Sequence, residues 1–180
     1  MGKFVKVGVF MNVWCVNLKD NRNELNIKDC QKKCELCFKE KILPIGWGYD
    51  VDGDLFTRAL NTKDKYSYDT DEVDRFLNAL NLFSKFENGD LVWVHNINDG
   101  NYYILQISDA KIRVSENQNY RDCDIAFYML WNRMCCVGNH VDVNKYFDFR
   151  KIISRPVFQK RKNDDIKIIT NKIFEEKIKE

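Results

Sequence analysis

Long hydrophobic runs are missing from this sequence. Nothing in it approaches the roughly 18 consecutive apolar residues that a membrane-crossing helix requires. Met1 to Phe10 alternate charged with apolar residues instead of building the apolar stretch of a secretory signal. Position 6 is Lys, where a myristoylation signal beginning at Gly2 would carry Ser or Thr. A cytoplasmic location without membrane contact is therefore expected. Histidine is also scarce. His95 and His140 are the only two, too few for a His-centred catalytic set, although pairing of His140 with Cys135 or Cys136 would need only proximity in space. No Walker loop, GxSxG, HExxH or GxGxxG motif occurs. No catalytic residue and no cofactor are expected, and the chain reads as a binding module rather than an enzyme that works alone. The 7 cysteines are an odd number, and Cys135 and Cys136 are adjacent. Neither fact suits a disulfide framework, so reduced thiols are expected.

What is present is enough for a packed domain. The 180 residues are 44% hydrophobic, sufficient for one core, and no repeat or low-complexity tract divides them. Residues 1–180 are read as a single mixed α/β (α+β) domain. Charge is uneven along it. Residues 1–110 hold 14 Lys and Arg against 17 Asp and Glu, whereas residues 111–180 hold 15 against 10. The basic C-terminal part, with a tail and terminal helix over 159–180, fits either a polyanion or a merely solvated face.

Local pattern places the elements. Phe4 to Val16 reads as one or two strands, with Gly8 at a bend, and Asn17 to Asn26 as a loop. Cys30, Cys34, Cys37 and Phe38 recur at helical spacing, so a helix is expected over Ile27 to Lys41, with Asn26 as its cap and Pro44 beyond its end. Leu43 to Tyr49 is a short extended segment, and the acidic stretch Asp50 to Asp74 a surface excursion. Val73, Phe76, Leu77 and Leu80 share one face of a second helix over Asp71 to Phe83. Leu91 to His95 and Tyr102 to Ile107 flank Asn98-Asp99-Gly100, the clearest hairpin signal in the chain. Ile125 to Val137 reads as a strand pair or one bent strand, and Asp164 to Lys179 as a terminal helix.

Three motifs carry candidate chemistry. Cys30-x3-Cys34-x2-Cys37 has the thiolate spacing of radical-SAM iron–sulfur sites, with Cys15 as the nearest further zinc ligand. On a helix, however, the three thiols share a face, and a buried thiol packs as a small hydrophobe. We therefore expect no metal and keep an iron–sulfur or zinc protein as the alternative. Asp50-x-Asp52-Gly53-Asp54 begins like a calcium loop but has Leu55 and Asn61 where Gly and Glu belong, so it reads as an acidic turn. Among the tryptophans, Trp14, Trp93 and Trp131 are assigned to the core. Trp47 stands between Gly46 and Gly48, which leaves room for a flat ligand to approach its ring.

The order of segments carries a resemblance. A first strand ends in Trp14-Cys15-Val16-Asn17, a helix follows, and then Ile42-Leu43-Pro44-Ile45-Gly46-Trp47-Gly48. After a second helix comes Gly89-Asp90-Leu91-Val92-Trp93-Val94, returning through Tyr103 to Ile107. This resembles the EVE and YTH branch of the PUA-like superfamily over roughly residues 8–137. The resemblance implies a small β-barrel of five to six strands with flanking helices that binds DNA or RNA, with a modified base held in an aromatic pocket. It matches Trp47 to one cage wall, Asn17 to a polar reader of the base edge, and Tyr120 to a second wall where the family has tryptophan. On charge, Arg121, Arg133, Arg155, Lys160, Arg161 and Lys162 are the phosphate-contact candidates. Such domains imply a bacterial defence or restriction setting, with a nuclease or ATPase partner chain. A protein-interaction domain of the adaptor or immunity kind is a further alternative, in which the terminal helix would dock a partner.

Overall fold

The structure is a computed structural model that describes residues 11–18, 27–45, 80–123, 125, 127–148, 150, 158–160 and 164–179. It is mixed α+β. Five strands, β1 (Val13–Val16), β2 (Ile42–Ile45), β3 (Leu91–Asn96), β4 (Asn101–Val114) and β5 (Phe127–Gly138), form a sheet in the order β2-β5-β4-β3-β1. A three-residue strand, β6 (Phe158–Lys160), extends it beyond β1. Four helices accompany the sheet among the described residues: α1 (Ile27–Lys39), α2 (Gln118–Arg121), α3 (His140–Asn144) and α4 (Asp164–Lys177). Residues 80–83 form a further helical turn; the rest of the helix expected over Asp71 to Phe83 lies outside the described residues, as do Phe4 to Phe10 and the acidic stretch.

The hairpin is where alternation predicted it. Leu91 pairs with Gln106 and Asn96 with Asn101, and Gly100 closes the turn at φ 74°, a left-handed conformation that costs glycine little. Asp99 fastens the turn by accepting from the Asn101 N–H at 2.8 Å and the Tyr103 hydroxyl at 2.7 Å. Because β3 is covered on both faces, its first four residues are all buried. Val92 and Val94 enter one cluster with Trp14, Val16, Leu43, Leu105, Phe127 and Trp131. Leu91 and Trp93 enter a second, with Val13, Cys15, Ile104, Cys135 and the α4 residues Ile166, Ile173 and Phe174. The first cluster thus draws side chains from all five main strands and from α1. The second lies beneath α4.

Strands β4 and β5 are longer and more irregular than expected. β4 continues to Val114, past polar residues that hide it in the sequence, and the register slips at Ile107/Asp109 and Asp109/Arg113. Arg113 bonds Asp109 at 2.6 Å across the second irregularity, and this bond holds the Asp109 carboxyl below its usual range. A slip between Gln106 and Ile107 pairs them with Arg133 and Trp131. One extra residue in a period-two strand exchanges its faces. Trp131 therefore joins the first cluster, whereas Cys135 and Val137, at the same parity, join the second.

The three described tryptophans are buried, as expected, and each indole N–H is satisfied. Trp14 donates to the Asp90 carboxylate at 2.6 Å, Trp93 to the Thr170 hydroxyl at 3.0 Å, and Trp131 to the carbonyls of Cys37 and Ile42 at 3.2 Å. Asn171 of α4 clasps the backbone of Met11, accepting from its N–H at 3.2 Å and donating to its carbonyl at 3.3 Å. α4 follows the helix rules: Asp164 and Asp165 occupy its first turn and Lys177 its last, in accord with the macrodipole. No helix among the described residues is long and apolar enough to cross a membrane.

Candidate nucleic-acid interface

β2 ends just before the segment in which a base-binding residue, Trp47, is expected. Pro44 lies opposite Tyr128 of β5, and Ile45, opposite Phe127, is the last residue of the strand. Trp47 follows two residues later and lies outside the described residues. Tyr120 of α2 packs edge-to-face on Tyr128, with ring centroids 5.5 Å apart at 90°. Both tyrosines belong to a small satellite cluster with Ile42, Cys123, Ile125, Leu36 and Leu130. Asn117 caps α2 by accepting from the Asn119 N–H at 2.9 Å, which fixes the turn that presents Tyr120. Burial, and then the nearby Glu40 charge, raise the Tyr120 hydroxyl pKa, so it stays protonated. The half-buried pair Tyr120 and Tyr128 therefore lies beside β2, with Tyr128 opposite Pro44 and Ile42 in the same cluster.

Asn17 sits elsewhere in the register. It follows Val16, whose partner Val94 precedes His95, and His95 pairs with Tyr102, which pairs with Gly138. This is the opposite end of β5 from Tyr128. His95 stacks on Tyr102 there, with centroids 4.5 Å apart and planes 19° apart, an aromatic pair that alternation in a strand does not reveal. Gly138 has φ 113°, and a Cβ there would overlap the Asp142 carboxylate, so only glycine fits.

The phosphate candidates divide four ways. Arg133 is exposed and holds its guanidinium over the Phe174 ring, 5.7 Å from the centroid. Stacked in this way, its N–H edges remain open to an anion. Arg121 ends α2. Lys160, expected in the basic tail, is instead part of β6, opposite Trp14. Arg155, Arg161 and Lys162 lie outside the described residues.

The thiols follow the packing pattern. Cys30, Cys34 and Cys37 are buried on the inner face of α1, and burial raises the pKa of the Cys34 and Cys37 thiols. Cys15 faces the second cluster, whereas Cys34 and Cys37 face the first. Among the described residues no three His, Cys, Asp or Glu side chains are grouped to hold a metal ion. His140, expected in a loop, opens α3 behind the Asn139 cap, while the buried Cys135 thiol is pushed up to about 11. The Asp50 to Asp54 turn lies outside the described residues. No protein-family model, no curated protein and no solved structure matches the chain.

Proposed function

We propose that the chain is a nucleic-acid-binding module of the PUA-like, EVE and YTH type. Its sheet closes as a small barrel, and a modified base of DNA or RNA enters a pocket beside Trp47. The observation that supports this reading is the edge-to-face pair of Tyr120 with Tyr128, the latter opposite Pro44, which precedes glycine-flanked Trp47 by three residues in the sequence. Stacking between aromatic walls offsets the few kcal/mol needed to take a base out of its stack. Arg133 supplies an exposed cation for the backbone. A nuclease or ATPase chain of a bacterial defence or restriction system is the partner this role implies. The metal-centred alternative is not advanced, because Cys34 and Cys37 face the first core cluster and Cys15 the second.

Titration of the protein with plain and base-methylated single-stranded oligonucleotides tests the reading. Trp47→Ala is expected to weaken binding of the preferred oligonucleotide by about ten- to a hundredfold, the equivalent of one stacked base. Binding unaffected by Trp47→Ala would overturn the pocket.

A further inference from the structure

Beyond its pairing with β2, one edge of β5 carries no strand among the described residues. β2 covers β5 only from Phe127 to Leu130, and the last bond across is the Trp131 N–H to the Lys41 carbonyl at 3.1 Å. From Asn132 to Val137 no strand pairs with this edge among the described residues, while the other edge remains bonded to β4. Asn132, Arg133, Met134 and Cys136 are exposed there, and Met134, at 45%, is one of the most exposed large apolar side chains described. A row of outward backbone donors and acceptors is a template for one more strand.

We propose that this edge docks an extended, acidic strand of a partner protein. The choice of occupant follows from charge. On the α4 side of the edge stand Arg133, over Phe174, and Lys177, whose charge acts on Cys135. Neither forms an ion pair among the described residues. Asp142, on which the Lys177 charge also acts, is held by Lys145 at 2.7 Å and by the α3 capping box. On the other side Met134 and Cys136 offer a softer, apolar strip. An added strand with carboxylates at alternate positions toward α4 and apolar residues between them matches both sides. A second copy of the chain matches less well, since residues 132–138 carry no acid to set against Arg133. This surface does not rest on the nucleic-acid reading and shares only Arg133 with it.

A short synthetic peptide alternating Glu with Val, and its Lys-for-Glu counterpart, test the proposal by amide hydrogen exchange. The Glu peptide is expected to slow exchange across residues 132–137. The Lys peptide, or the Glu peptide with Arg133→Glu, should bind about fivefold more weakly, and pairing Arg133→Glu with the Lys peptide should restore binding. The proposal fails if neither peptide protects these amides, or if both protect them equally. It also fails if protection grows with protein concentration alone, the sign of self-pairing, or if an oligonucleotide protects them and the Glu peptide does not.

Discussion

Replacing Asp90 with alanine removes a carboxylate that is 3% exposed and accepts two hydrogen bonds, from Trp14 Nε1–H at 2.6 Å and from the Glu87 N–H at 3.0 Å. Hydrogen bonds to a charged group contribute about 1.5–3 kcal/mol, and a buried donor left without an acceptor costs about 1–3 kcal/mol. Trp14 is fully buried and stacked on Phe86 at 4.1 Å, so its N–H has no route to water. The expected loss is about 3–5 kcal/mol, a large part of a typical domain's stability. For a domain of this size, that lowers Tm by roughly 6–20 °C. Thermal unfolding followed by circular dichroism gives the number. A double-mutant cycle with Trp14→Phe isolates the bond, with an expected coupling of about 1–3 kcal/mol. A Tm within about 2 °C of the wild type, or effects that simply add, would refute the structural role assigned to this part of the Gly89-Asp90-Leu91-Val92-Trp93 segment.

Thr170→Val orphans the Trp93 indole N–H and should cost about 1–3 kcal/mol in urea unfolding, whereas Thr170→Ser should retain most of that stability. Burial raises the Cys135 thiol from 9.0 to about 11. Below pH 9 it is neutral in folded and unfolded chains alike, but above that the unfolded chain ionises first. Urea midpoints should therefore fall between pH 9 and 11, and fall less steeply in Cys135→Ala. Of the described cysteines only Cys136 is exposed, so a thiol reagent on the native protein should label it first; equally fast labelling of Cys34 or Cys37 would contradict the packing of α1. Tyr128→Ala removes the ring on which Tyr120 rests and should weaken oligonucleotide binding more than Phe174→Leu, measured by fluorescence anisotropy.

How far the fold was legible depended on how local its causes were. The β3–β4 hairpin and the inner face of α1 were readable because alternation, the Asp99-Gly100 turn and the 3.6-residue period act within a dozen residues. The continuation of β4 through Asp109, Lys111 and Arg113 was not, since those polar residues sit at register slips and lean on each other rather than on the core. Nor could sequence show that Trp14 and Asp90 bond across 76 positions, or that Asn171 at the far end of the chain holds Met11. α2, four residues long, has no period to detect. In the candidate site, the resemblance singled out Tyr120, but its edge-to-face contact with Tyr128 depends on strand register, which the sequence does not show. Likewise, that β2 covers β5 only from Phe127 to Leu130 among the described residues is a matter of pairing that the sequence does not show.

The central claim is nucleic-acid binding, and the direct test is the salt dependence of affinity for a labelled single-stranded oligonucleotide between about 50 and 200 mM salt. Each phosphate neutralised contributes about −0.7 to the slope of log K against log salt. Six candidate cations, Arg121, Arg133, Arg155, Lys160, Arg161 and Lys162, therefore predict a slope between about −1 and −4. The absence of binding at about 50 mM salt, or binding with no salt dependence, would contradict the account.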